Sequence, residues 1–142
     1  MPTRTSRAEW KGDLEGGRGT MSFGGGAWEG AYSFRSRFEN GEGTNPEELL
    51  AAAHAGCFSM ALSNILAGAG HPPDSVRTRA DVHLVVGEDG PSIPRVDLHV
   101  EADVPGIDED AFLEHAAAAK AGCPVSKLYR ADITLDAKLT PS

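Results

Sequence analysis

Apolar and polar residues alternate in two stretches in the middle of the chain. Every second residue is mainly apolar from Val76 to Val86, and again from Val96 to Val104. A period of two is typical of β-strands that have one buried face and one solvated face. The segment between them, GEDGPSIP, is rich in turn residues. We therefore predict that the two stretches form an antiparallel hairpin.

A different pattern begins at TNPEELL. Asn45 suits the N-cap of a helix, Pro46 its first position and Glu48 its third, as in a capping box. The helix should run to about Ala67, where the glycines and prolines of GAGHPP end it. Because this run is apolar on almost every side yet contains His, Ser and Asn, we predict a buried central helix that does not span a bilayer.

The remaining segments complete an α+β pattern. Residues 1–40 combine short β-type runs with glycine clusters and should form strands joined by tight turns, the run WEGAYSFRSRF included. Asp108 can cap a second helix that reaches about Ala121, and Pro124 can open a short helical piece, VSKLYR. Alternation from Ile133 to Leu139 predicts a closing strand. We interpret residues 1–142 as a single domain of the α+β class.

Composition narrows the possible functions. The net charge of −8 makes nucleic acid and anionic membranes improbable partners. Aromatic residues make up only 6% of the chain, so a second subunit would help to complete the core, and we expect a homo-oligomer. The first residues lack the apolar stretch of a secretory signal, which favours a cytoplasmic protein. Without a GxGxxG, P-loop or HExxH motif, we expect no nucleotide or metal cofactor.

The two cysteines are the candidates for chemistry. Cys57 lies inside the predicted central helix, where a cysteine is more often inert packing than a reactive group. Cys123 directly precedes Pro124 and could cap a helix whose free N–H groups would stabilise a thiolate, or could simply be a small residue at a helix break. They are too far apart for a CxxC pair. On these grounds alone, Cys123 is the better candidate for the attacking thiol.

A family resemblance reverses that order. The run RFENGEGTNPEELLAAAHAGCFSMAL, together with VPGID and KAGCPVS, resembles the OsmC branch of the OsmC/Ohr family of thiol-dependent hydroperoxide reductases. The resemblance implies an OsmC-like fold with antiparallel sheets around a long central helix, and an intertwined homodimer with two sites at its interface. It also implies that Cys57 attacks the hydroperoxide, that Cys123 resolves the oxidised sulfur, and that an external dithiol such as dihydrolipoyl recycles both without a cofactor.

The resemblance assigns two charged residues to the same site, Arg37 and Glu47. A guanidinium near a buried sulfur would offset the desolvation that keeps Cys57 protonated, whereas Arg35 is expected to be a solvated arginine on the same strand. Glu47 is best interpreted as orienting Arg37, although an acid in the first turn also complements the helix dipole. Ten residues of straight helix span about 15 Å, so we expect Glu47 to act on the Cys57 of the partner chain.

Other interpretations remain open. His54 lies one helical turn before Cys57, so a Cys/His pair that hydrolyses esters is conceivable, although a packing histidine is the simpler interpretation. A dimeric redox sensor or binding module, in which the same disulfide forms slowly without turnover, is the main alternative to a peroxidase. The sequence does not decide whether the glycine-rich segment 24–30 gates the site.

Overall fold

The computed structural model describes residues 2–128 as an α+β arrangement with two antiparallel sheets and one long helix. In chain order the elements are β1 (Arg7–Lys11), β2 (Arg18–Phe23), β3 (Trp28–Tyr32), α1 (Phe34–Phe38), α2 (Pro46–Gly68), β4 (Ser75–Gly87), β5 (Gly90–Asp103), α3 (Glu109–Gly122) and α4 (Pro124–Leu128). The predicted α+β class is confirmed. The predicted strand from Ile133 to Leu139 lies outside the described residues.

Three N-terminal strands form an antiparallel meander in the order β1-β2-β3. In its centre Gly19 lies opposite Trp10 on one side and Tyr32 on the other. A Cβ at this position would come within 2.7 Å of the Trp10 ring and 2.5 Å of the Tyr32 ring, so only glycine lets the two rings approach. The turn from β2 to β3 contains Gly24–Gly26, and all three glycines have positive φ. This explains why the glycine cluster lies there.

One predicted strand is partly wrong. The run WEGAYSFRSRF begins as β3, but its second half is the short helix α1, so Arg35 and Arg37 are helical residues. A capping box explains the change, since the Ser33 side chain accepts from the Ser36 N–H at 3.0 Å while the Ser36 hydroxyl accepts from the Ser33 N–H at 2.8 Å. The alternating pattern of this run masked that local signal.

Helix α2 begins where the sequence predicts. Pro46 is its first residue, and the Asn45 side chain accepts from the Glu48 N–H at 2.8 Å. Within the described chain, the most deeply buried positions of its middle and end form a stripe with a spacing of four, namely His54, Phe58, Leu62 and Leu66. Of the helices described, α2 alone has the length and apolar composition that could cross a membrane, with 22% of its most apolar window buried. The core helix of a soluble protein meets the same test.

The predicted hairpin is present with a shorter turn. Strands β4 and β5 are hydrogen-bonded neighbours, and only Glu88 and Asp89 separate them. Gly90 follows with a φ of 95°, which allows the tight reversal. The strands therefore extend into GEDGPSIP from both sides, because pairing over a long ladder outweighs the turn preference of its individual residues.

Helices α3 and α4 follow the predicted pattern. The Asp108 side chain accepts from the Ala111 N–H at 2.8 Å and caps α3, which ends at Gly122. Helix α4 starts at Pro124 and is described up to Leu128. Between the two helices lies Cys123, with an extended backbone.

The chain divides into two compact units. The first contains the residues up to Ala52 together with Ala80–Leu98. The second contains Ala53–Arg79 and the chain from His99 onward. Arg37 and Glu47 belong to the first unit, and Cys57 and Cys123 belong to the second.

Candidate active site

In the first unit, Arg37 and Glu47 form a bidentate ion pair. Arg37 Nη2 lies 2.9 Å from Glu47 Oε1, and Arg37 Nε lies 3.1 Å from Oε1 and 3.3 Å from Oε2. The Glu47 side chain is 10% exposed and that of Arg37 is 34% exposed. A fork of this kind fixes the guanidinium plane as well as its charge. The Glu47 carboxylate therefore fixes the orientation of the Arg37 guanidinium within one chain.

The elements around the ion pair explain its geometry. The Ser36 hydroxyl in α1 donates to the Thr44 carbonyl at 2.8 Å, and the Asn45 side chain donates to the Ser36 carbonyl at 2.9 Å. These bonds hold α1 against the start of α2, so that Arg37 faces Glu47. Arg35 instead pairs with Glu39 on the surface at 3.4 Å, with its side chain 74% exposed. Its predicted role as a solvated arginine is therefore retained, although it lies in a helix.

A cavity beside Arg37 is lined mainly by aromatic side chains. Its volume is about 390 Å³, and its lining includes Trp10, Tyr32, Phe34 and Phe38. The Arg37 guanidinium lies 5.4 Å from the centre of the Phe38 ring, close enough for a cation–π contact. This region combines an apolar wall with a fixed positive charge.

In the second unit, Cys57 and Cys123 meet as free thiols. Neither forms a disulfide in this structure, and the two thiols lie close enough for each to shift the pKa of the other. Cys57 comes from the middle of α2, whereas Cys123 comes from the break between α3 and α4. Two thiols that already lie near each other need little movement of the backbone to form a disulfide.

The first residues of α4 bring polar hydrogens to both sulfurs. The Ser126 N–H donates to Cys123 Sγ at 3.4 Å, and the Ser126 hydroxyl lies 3.2 Å from the same sulfur. The Val125 N–H acts to lower the pKa of both thiols. Cys123 thus occupies the capping position that the sequence suggests, and α4 supplies the donors.

The two thiols differ in acidity. Burial raises the pKa of Cys57, and the Val125 N–H only partly offsets this. Burial also acts to raise the pKa of Cys123, but hydrogen bonds from the Ser126 hydroxyl and N–H, from Cys57 and from Val125 outweigh it and lower that pKa. Among the described residues of one chain, no cation contributes to the pKa of Cys57.

The two thiols also differ in accessibility. Cys123 has no exposed surface, whereas Cys57 is only partly buried. A small molecule from solvent can therefore reach the sulfur of Cys57 more easily than that of Cys123. Acidity therefore favours Cys123 as a nucleophile, whereas access from solvent favours Cys57.

His54 has a partner other than Cys57. Its Nε2 lies 2.8 Å from the Ser126 hydroxyl, and its Nδ1 is buried with no hydrogen-bond partner among residues 2–128. The side chain is buried, which lowers its pKa and keeps the ring neutral. Ser126 was not identified from the sequence. The one local signal for it is its place three residues after Cys123, which is the N3 position of a helix capped by Cys123.

The described residues give no sign of a metal centre. No group of three or more His, Cys, Asp or Glu side chains within residues 2–128 could hold a metal ion.

Comparison with known proteins finds chains that are similar in sequence and in fold. Residues 39–138 match the model of the family described as OsmC-like protein. The chain is 48% identical to proteins named peroxiredoxin OsmC from Escherichia coli K12 and Shigella flexneri, over 96% of each chain. Its fold resembles the organic hydroperoxide resistance protein OhrB of Bacillus subtilis, with a TM-score of 0.65, 24% identity and coverage of 89% and 90% of the two chains. An organic hydroperoxide resistance protein from Elizabethkingia anophelis gives a TM-score of 0.68 at 23% identity, covering 91% and 90%.

Proposed function

Because the chain belongs to the OsmC family, we propose that it is a cysteine-based, thiol-dependent peroxidase that reduces organic hydroperoxides. The observation that carries this proposal is the pair of free thiols, Cys57 and Cys123, which separate elements of the chain bring close together. A pair of this kind can alternate between two thiols and one disulfide, and thus pass two electrons from a dithiol to a peroxide.

The proposed reaction has three steps. The Cys57 thiolate attacks the distal oxygen of the hydroperoxide, the O–O bond breaks, and an alcohol leaves after it takes up a proton. Cys57 is then a sulfenic acid, which Cys123 attacks to form a disulfide and release water. An external dithiol, of which dihydrolipoyl is our candidate, returns both residues to thiols and is itself oxidised. The partial exposure of Cys57 and the complete burial of Cys123 support this division of roles.

Arg37 supplies the charge that this chemistry needs. Burial raises the pKa of Cys57, so a cation close to its sulfur is required to favour the thiolate. The bidentate bond to Glu47 presents the Arg37 guanidinium in a fixed plane, which suits it to hydrogen-bond the peroxide oxygens as well. In this proposal Arg37 and Glu47 act together on a Cys57 thiolate.

The acting Arg37 and Glu47 come from a partner chain in a homodimer. Two facts support this: α2 is apolar but has only 22% of its most apolar window buried, and no cation of the described chain contributes to the Cys57 pKa. The exposed Met60, at 76% of its full surface, lies on the uncovered side of this helix. A second copy that covers α2 would bury this face and would bring its own ion pair.

A complementation experiment tests the exchange between chains. A Cys57→Ser chain retains the ion pair, and a Glu47→Ala chain retains both thiols. If the ion pair acts across the interface, each mixed dimer contains one complete site and about half of the wild-type activity, so an equimolar mixture, in which about half of the dimers are mixed, should regain about a quarter. If the pair acts on its own chain, mixing restores nothing. A monomer in size-exclusion chromatography would also contradict the proposal.

The aromatic cavity beside Arg37 supports an organic substrate. Its walls of Trp10, Tyr32, Phe34 and Phe38 would hold the hydrocarbon part of an alkyl or aryl hydroperoxide with its peroxide group directed to the guanidinium. We expect cumene hydroperoxide to have a higher kcat/KM than hydrogen peroxide. A reducing cytoplasm, which maintains a supply of dithiols, is the compartment in which such an enzyme would act.

Turnover separates the peroxidase from a redox sensor. With dihydrolipoamide in excess, an enzyme consumes many equivalents of cumene hydroperoxide per subunit, whereas a sensor consumes one. The esterase alternative has little support, because His54 Nε2 bonds to Ser126 and no histidine of the described residues contributes to the pKa of Cys57. One equivalent consumed, followed by a stable disulfide, would overturn the proposed function.

A further inference from the structure

A hydrogen-bonded chain connects His54 to the sulfur of Cys123. His54 Nε2 lies 2.8 Å from the Ser126 hydroxyl, which lies 3.2 Å from Cys123 Sγ. The three residues come from α2, from α4 and from the break before α4. His54 is 5% exposed and Cys123 is 0% exposed, so water does not compete freely for these bonds. None of the three steps described above uses His54 or Ser126.

The groups at the two ends of this series of hydrogen bonds determine which atom donates in each bond. A thiolate only accepts hydrogen bonds, so when Cys123 is ionised the Ser126 hydroxyl must donate to it. The Ser126 oxygen can then accept from His54 Nε2–H, which leaves the lone pair on Nδ1. Nδ1 is buried and has no partner in the described part of the chain, so a lone pair there leaves no N–H group without an acceptor. The neutral ring supplies this tautomer without any change of charge.

We propose that His54 is a neutral positioning residue, which through Ser126 directs a hydroxyl proton at the Cys123 sulfur and holds it as the thiolate that resolves oxidised Cys57. The inference rests on the resolving role proposed for Cys123. In this step the Cys123 thiolate attacks the Cys57 sulfur, the S–S bond forms, and the S–O bond breaks. The oxygen leaves as hydroxide and takes a proton from solvent to become water.

The thiolate itself can be measured without any peroxide chemistry. Because the chain has two cysteines, a Cys57→Ser protein contains Cys123 as its only thiol, and thiolate absorbance at 240 nm reports on that residue alone. Adding Ser126→Ala should lower the thiolate fraction at neutral pH about tenfold, since a hydrogen bond to a charged group is lost. Adding His54→Leu should lower it by a smaller factor.

The His54→Gln substitution distinguishes a donor from a base. A glutamine amide can place an N–H near the position of Nε2 but cannot take up a proton. If His54 acts as a donor, His54→Gln retains most of the thiolate that His54→Leu loses. If the two variants lose it equally, the proposal is overturned. The matched control is Ser59→Ala, which removes an α2 hydroxyl bonded to Thr78 at 2.7 Å and should leave the titration unchanged.

The same variants with Cys57 present test the resolving step. After one equivalent of hydroperoxide, Ser126→Ala should form the Cys57 sulfenic acid at the wild-type rate but form the disulfide about tenfold more slowly at pH 7. The two disulfide rates should converge at high pH, where Cys123 ionises unaided. An equal slowing of both steps would overturn the inference. A wild-type protein that forms no sulfenic acid would refute the proposed function instead, while the titration would still decide the role of His54.

Discussion

The thiol pair and the ion pair are stabilised in different ways. Cys57 and Cys123 are served by uncharged donors, the N–H groups of Val125 and Ser126 and the Ser126 hydroxyl. Arg37 and Glu47 are held by opposite charges in a bidentate fork. Neutral donors suit Cys123, which must become nucleophilic while fully buried. They do not overcome the burial that raises the pKa of Cys57. Each pair forms within one chain, whereas the proposed reaction needs the thiol pair and the ion pair at the same site.

Removal of the attacking sulfur should give the largest effect. Cys57→Ser should reduce hydroperoxide consumption with dihydrolipoamide more than about 10³-fold, because a serine hydroxyl is not ionised at neutral pH and cannot form a sulfenic acid. The steady-state assay with cumene hydroperoxide measures this. Full activity in this variant would mean that the thiol pair is not the reaction centre.

Removal of the guanidinium should give the next largest effect. Arg37→Ala should slow sulfenic acid formation about 10- to 100-fold, because a charge-assisted bond worth about 1.5–3 kcal/mol is lost. Stopped-flow measurement of the first turnover isolates this step. Arg35→Ala, which removes an exposed arginine from the same helix, is the matched control and should remain within about twofold of wild type. Equal losses in the two variants would show that Arg37 acts only through helix stability.

Removal of the buried thiol should separate the two cysteines. Cys123→Ser should still reduce one equivalent of hydroperoxide at close to the wild-type rate, and should leave a Cys57 sulfenic acid that dimedone labels. Its turnover with a dithiol should fall about tenfold, because the sulfenic acid must then be reduced directly by the external thiol. Mass spectrometry of the labelled protein detects the adduct. Dimedone labelling of Cys123 in a Cys57→Ser protein would reverse the assignment.

The smallest expected effect concerns acid stability. Burial lowers the pKa of His54 below its ordinary value of 6.5, so the unfolded chain binds the proton first as the pH falls. This histidine therefore adds stability that is present above pH 6.5 and is lost between that pH and its lower folded-state pKa. Urea unfolding at pH 7.5 and pH 5 should show a smaller acid loss in His54→Gln than in wild type. An equal loss would mean that titratable groups other than His54 control the loss of stability at acid pH.

Much of the fold could be predicted because its signals are local. Asn45, Pro46 and Glu48 mark the start of α2, Asp108 caps α3, and alternation marks the hairpin strands. These features depend on residues within a few positions of one another, as caps and periodic faces do. Where alternation and a capping box compete, as after Ser33, the alternating pattern misled the prediction and the cap determined the structure.

The candidate site could be predicted in part. Family motifs identified Cys57, Cys123, Arg37 and Glu47, and the OsmC-family interpretation is confirmed by the family match. Their catalytic roles stay predictions. The hydroxyl of Ser126 was not found, because its importance depends on His54, which is 72 residues away in the sequence.

The sequence by itself determined the element types, the family and the identity of the two thiols, because caps, periodicity and motifs are carried by neighbouring residues. Only the tertiary structure decided that Cys57 and Cys123 lie close together and that His54 bonds to Ser126. It also decided that Cys123 is the more acidic and less accessible sulfur. The reason is physical: burial and hydrogen bonding set the acidity of a thiol, and both depend on groups that the folded chain brings together from distant positions.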